Sequence, residues 1–171
     1  MAISPKRGRL SSDVAATFKA VLRTTVALAA LSLVLTAASQ AGLTRAESSV
    51  LHQMNRTRAA HGLHLLVYDR HLERAAEAHT DVMLRTNVFA HGAFASRLLQ
   101  FDVAARVAGE NLAWAAGTKA SARNIVGAWL ASPAHRANLL KPSFRRVGIG
   151  ALDGAFQGFA HARVVTADFA G

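Results

Sequence analysis

The sequence contains no cysteine. That excludes a disulfide scaffold, an iron–sulfur cluster, a thiolate zinc site and a cysteine nucleophile. Charged residues are scarce at 18%, whereas hydrophobic ones reach 51% of the 171 residues. The chain is therefore not a disordered basic tail. Aromatic residues make up only 6%, too few for a base-stacking platform, and no nucleic acid partner is expected. Acids are the rarer charge: 10 Asp and Glu stand against 20 Lys and Arg, a formal net charge of +10. Arginine far outnumbers lysine and alanine is abundant, a composition that points to a bacterium with a GC-rich genome. Several catalytic signatures are missing: HExxH, the GxSxG elbow, Ser-x-x-Lys, the P-loop and GxGxxG. Their absence removes the best-known helix-borne zinc peptidase, serine hydrolase and nucleotide-binding patterns.

The positive charge is unevenly placed. Ahead of Glu47 stand Lys6, Arg7, Arg9, Lys19, Arg23 and Arg45 with the single acid Asp13, so half of the net charge lies there. Between Arg23 and Arg45 runs an uncharged stretch of 21 residues, most apolar over Val26 to Ala38. A basic start, an apolar stretch and small residues after it read as a secretory signal peptide. Ser39-Gln40-Ala41 and Thr44-Arg45-Ala46 both fit small-x-small cleavage, with the cut after Ala41 or after Ala46. The same run, near the ~20 residues that span a bilayer, also fits an uncleaved membrane anchor. In either case the following domain ends outside the cytoplasm. Residues 1–46 are thus expected to be a leader and residues 47–171 a domain.

The remaining ~125 residues suffice for a real core. Glu47 to His61 reads as a helix with Val50, Leu51 and Met54 on its apolar stripe, ended by Gly62. Asp69 is placed to cap a second helix reaching about Arg85, where Leu72, Ala75, Ala76, His79, Val82 and Met83 share a face. Val88 to Val107 is less regular, with a helical patch near Ser96 to Phe101. Thr118 or Ser121 caps another helix carrying Ala122, Ile125, Val126, Trp129 and Leu130, which Pro133 stops. Beyond Pro142 the period becomes two. Val147, Ile149 and Ala151 alternate with glycines, Asp153-Gly154 marks a turn, and Phe159 to Phe169 is the returning strand. Helices followed by a terminal hairpin make an α+β domain. His61 and His64 read as surface histidines, His79 as a hydrogen-bonded core histidine and Arg145-Arg146 as solvated.

Four segments remain: Asn55-Arg56-Thr57-Arg58, Phe89-Ala90-His91, Gly109-Glu110-Asn111-Leu112-Ala113-Trp114, and Trp129 through Ser132-Pro133-Ala134-His135-Arg136-Ala137-Asn138 to Leu140. In this order, followed by Phe144 and Val147-Gly148-Ile149-Gly150, they resemble the CAP superfamily. That family, also called the SCP domain, comprises cysteine-rich secretory proteins, antigen 5 and plant pathogenesis-related proteins. The likeness runs from about Val50 to Phe169 and is of the bacterial, cysteine-free type. It implies a three-layer α-β-α sandwich around a small antiparallel sheet. It also implies a cleft lined by two histidines and two acids. By motif the histidines are His91 and His135 and one acid is Glu110. The second acid's position, three residues after Trp129, holds Ser132, so the tetrad is incomplete.

Two imidazoles and a carboxylate can hold a divalent metal such as zinc or calcium weakly, with water or Ser132 completing the shell. The same groups can relay protons, or simply form a polar pocket in which Glu110 and Asn111 fix loops. The expected role is binding or interaction at the cell envelope or outside it, with a wall polymer, lipid or protein as partner and no membrane contact except through an uncleaved leader. The alternatives are a protease-like hydrolase using His91, Glu110 and His135, and a lipid or sterol carrier using Phe89, Phe94, Leu98, Leu99 and Phe101. Cell fractionation with N-terminal sequencing checks the leader: the exported form should begin at Gly42 or Glu47, and a cytosolic protein still starting at Met1 would remove the leader reading.

Overall fold

The computed structural model describes residues 42–171, and Leu43–Gly171 forms one compact unit. The apolar run of the leader and the Ser39-Gln40-Ala41 site lie outside the described residues. Helix α1 spans Arg45–Ala60. It starts two residues earlier than its apolar stripe implied because Thr44 caps it. The Thr44 hydroxyl accepts from the Glu47 N–H at 3.3 Å, and the Glu47 carboxylate accepts from the Thr44 N–H at 2.8 Å. A cut after Ala46 would therefore fall inside α1 and remove its cap. No helix among the described residues is long and apolar enough to cross a membrane.

Strand β1 (Val67–Tyr68) precedes α2 (Arg70–Thr86), whose first amides, from His71 and Leu72, donate to the Asp69 carboxylate. Helix α3 (Phe94–Gln100) leads to β2 (Ala108–Ala116), which covers the Gly-Glu-Asn-Leu segment. A 3-10 turn (Gly117–Ala120) precedes α4 (Ala122–Ala131), capped by Ser121. Pro133 does stop α4, but it also opens α5 (Pro133–Leu139), since its fixed φ suits the first helical position. The hairpin β3 (Arg146–Phe156) and β4 (Phe159–Ala170) completes the chain.

The strands form one sheet in the order β1-β3-β4-β2. Three strands are antiparallel and the short β1 runs parallel to β3, so the sheet is mixed at that edge. The expected turn at Asp153-Gly154 does not form. Asp153 instead binds Arg163 across the ladder through both carboxylate oxygens, at 2.8 and 2.7 Å. Gln157 and Gly158, with φ of 50° and 84°, make the turn. Asn87 holds that turn through the Gln157 N–H at 2.7 Å. Arg146 is not simply solvated: it donates to Asp69 at 2.6 Å.

Both faces of the sheet are covered, which gives the three layers. Val147, Ile149 and Ala151 of β3 and Val165, Ala167 and Phe169 of β4 pack with Val50, Met54, Ile125, Val126, Trp129 and Leu139 from α1, α4 and α5. On the other face α2 lies on β3. The glycines between those apolar residues exist for this contact: a methyl at Gly148 would come within 1.9 Å of the Leu72 carbonyl carbon, and one at Gly150 within 2.7 Å of Ala76. Trp129 is 1% exposed and its indole N–H donates to the Leu112 carbonyl at 2.9 Å. Trp129→Ala should cost about 3–5 kcal/mol, because a cavity opens and a buried carbonyl loses its donor. Denaturant unfolding measures this, and an unchanged midpoint would show that the ring contributes no packing.

Candidate functional site

His91 follows α2 on a short connection. Gly92, at φ 60°, turns the chain there, and α3 then leads back over the sheet. Glu110 lies on β2, its carboxylate side chain only 2% exposed, while the His91 side chain is 58% exposed. His91 Nδ1 sits 2.5 Å from Glu110 Oε1. The carboxylate accepts, so Nδ1 carries the proton and the Nε2 side of the ring is left for other contacts. Glu110 Oε2 accepts from Arg97 Nη2 of α3. His79 lies 4.0 Å from the same oxygen. As expected it is buried and hydrogen-bonded: its Nε2 donates to the Ala90 carbonyl at 2.9 Å. Burial, and then the Arg97 charge, hold the His79 pKa below its ordinary value.

His135 comes from α5, in the layer on the other side of the sheet, and approaches around the outer edge strand β2. An asparagine clasp fixes it there. Asn111 of β2 donates to the His135 carbonyl at 2.9 Å, and Asn138 donates to the Asn111 side chain and the Glu110 carbonyl, both at 3.1 Å. His135 Nδ1 and the Ser132 hydroxyl are hydrogen-bonded at 2.9 Å. Burial, and then the charge of His91, lower the His135 pKa. His91 and Glu110 are thus in direct contact, and His135 is near enough to feel His91.

Two participants were not picked out from the sequence. Asp168 is the cross-strand partner of Glu110 and is fully buried, yet neither of its carboxylate oxygens has a hydrogen-bond partner. Arg97 Nη2 lies 3.7 Å from it. Burial, and then the Glu110 charge, push the Asp168 pKa well up, against the pull of Arg97. A carboxyl inside a strand buried on both faces was the available signal for Asp168. For Arg97, in a two-turn helix, no period or motif marked the side chain.

As arranged, His91, Glu110 and His135 do not make a ready metal centre. Both Glu110 oxygens are engaged, one by an imidazole N–H and one by a guanidinium. Among the described residues the three-ligand set within 4.8 Å is another one, Glu47, Glu73 and Glu77 of α1 and α2. There Glu47 serves the α1 cap and Glu73 accepts from the Tyr68 hydroxyl, and burial first, then Glu73, raises the Tyr68 pKa to about 12.

The family model for cysteine-rich secretory proteins matches residues 51–169. The chain belongs to this CAP family. The YkwD protein of Bacillus subtilis is 32% identical over 109 residues, covering 61% of this chain and 41% of YkwD. The YlbC membrane protein of the same organism is 32% identical over 112 residues, covering 63% of this chain and 32% of YlbC. The CAP chain therefore spans well under half of these relatives' lengths. An extracellular SCP-domain protein of Bacillus anthracis superposes with a TM-score of 0.62 at 26% identity, covering 77% of this chain and 45% of that one. An outer surface protein of Borrelia burgdorferi shares the fold at TM-score 0.57 and 21% identity, over 71% of this chain and 90% of that one.

The buried acid makes the stability of this CAP domain depend on pH. Because the folded-state pKa of Asp168 is raised, the folded protein keeps a proton that the unfolded chain releases above about pH 4, and stability falls as pH rises through that window. His79 and His135 act in the opposite sense: their lowered pKa values remove stability as pH falls below about 6.5. Asp168→Asn should raise the melting temperature near pH 8 and lose that advantage towards about pH 4. Thermal melts across this range check it, and a uniform loss at every pH would mean that Asp168 is ionised in the fold.

Proposed function

We propose that this protein is an exported CAP-domain binding protein, acting at the cell envelope or outside it, with His91 and His135 meeting its ligand. One observation carries the reading: an exposed imidazole at His91 is seated on a buried carboxylate through Nδ1–H. Such a ring is held in one orientation, so its outward nitrogen is a preorganised contact for a polar ligand. His135, kept neutral by its surroundings, offers a second. Export is supported by the basic, apolar leader pattern and by the Bacillus anthracis SCP-domain protein, which is described as extracellular. The net +5 carried from Glu47 onward favours an anionic envelope polymer as the partner class.

A hydrolytic reading has one contact in its favour, the hydrogen bond between Ser132 and His135. Glu110, the acid that would orient the base, is instead committed to His91 and Arg97, so binding is the better reading. The lipid reading loses most of its groove. Leu98 is buried, and Phe94 and Phe101 pack against it and Leu72, leaving Leu99 and Phe89 exposed.

The test is retention of the tagged full-length protein on envelopes from the expressing cells. Wild-type protein should fractionate outside the cytosol and bind those envelopes. The His91→Ala/His135→Ala variant, checked as folded by circular dichroism, should lose roughly fivefold or more of that retention, about the worth of one net polar contact. Equal retention of both proteins would sink the cleft reading, and a cytosolic wild type would sink export.

A further inference from the structure

Glu110 and Asp168 are cross-strand partners on β2 and β4, with side chains 2% and 0% exposed. Two buried carboxyls side by side cannot both stay ionised, and the charge that remains on Glu110 demands a cation, since an uncompensated buried charge is strongly unfavourable. Arg97 meets the demand from α3, its side chain only 10% exposed. Its planar fork is poorly used, however. Nη2 donates to Glu110 Oε2 and Nη1 reaches the His91 carbonyl at 3.3 Å. The buried Nε has no acceptor, and the approach to Asp168, at 3.7 Å, is too long for a hydrogen bond. A guanidinium seated in this way is there for its charge more than for a matched set of hydrogen bonds. The other Glu110 oxygen already holds His91, so a metal ion reaching for Glu110 has to evict one of two donors.

We propose that Arg97 is the cleft's own cation, offsetting the buried charge of Glu110 and thereby keeping divalent metal ions off Glu110. Arg97 does this whichever ligand the two imidazoles take. It sets the selectivity of the cleft: its direct partners are groups that use the imidazole nitrogens, and metal-dependent ligands are turned away. The position of Arg97, rather than the missing acid at Ser132, then decides metal affinity.

Zinc calorimetry on the full-length protein at neutral pH tests this. Wild type and Glu110→Gln should bind zinc equally weakly, through surface histidines alone. Arg97→Met should bind about tenfold more tightly or better, and adding Glu110→Gln should abolish the gain. Arg97→Lys keeps a cation and should behave as wild type. If Arg97→Met does not fold by circular dichroism, Arg97→Gln/Asp168→Asn removes the cation together with one acid and should show the same gain. The proposal fails if wild-type affinity drops about tenfold in Glu110→Gln, because metal then reaches Glu110 past Arg97. It also fails if the folded Arg97-deficient variants bind no more tightly than wild type. Should neither deficient variant fold, equal affinity of wild type and Glu110→Gln still supports exclusion of metal from Glu110, and a loss of about tenfold overturns it.

Discussion

A methyl group at position 148 would lie within 2.0 Å of the backbone of Leu72 and Glu73. Helix α2 therefore rests on the backbone of β3, and much of that layer follows from this contact. Thr80 of α2 reaches the Thr166 hydroxyl of β4 at 2.8 Å. Its neighbour His79 is lodged beside Glu110. At the end of the helix Asn87 adopts a left-handed conformation and grips the tip of the β3–β4 hairpin. A side chain at Gly148 would have to lift α2, and with it the floor of the cleft.

The segments that carry the family likeness act mostly on backbone. Asn55 pairs with both the N–H and the carbonyl of Leu66, at 2.8 and 3.0 Å. Asn111 and Asn138 join β2 to α5. Gly109 leaves room for Phe144 and Asn138 on that side, where a methyl would meet the phenyl ring at 2.9 Å. Of the residues in these segments, Glu110 and His91 pair side chain to side chain, as do His135 and Ser132. Such a signature reports a scaffold with a shaped edge more than a reaction, which is why one fold serves many ligands.

Local signals in the sequence read well where one residue controls one turn. Asp69 capping α2, Ser121 capping α4 and the start of β4 at Phe159 fall where the residue chemistry put them. Tertiary contacts overrode the pattern elsewhere. Asp153-Gly154 has the strongest turn chemistry in the hairpin, yet Arg163 across the ladder and Asn87 at the tip moved the turn to Gln157-Gly158. Strand β2 has no clean alternation because each of its faces meets a different layer, with Glu110 and Leu112 towards α2 and Asn111 towards α5. The motif residues of the site were visible individually. The charge balance that sets their behaviour was not, since Arg97 and Asp168 join it only through folding.

Arg58 carries its own consequence. It is fully buried on α1 and donates only to main-chain carbonyls, those of His64, Leu139, Lys141 and Phe144. Three of these acceptors lie 81, 83 and 86 residues further along the chain. The first helix of the domain therefore cannot finish its hydrogen bonding until nearly the last part of the chain has been synthesised. Closing so wide a loop is slow compared with local helix formation, and until it closes a charged group holds α1 away from the apolar core.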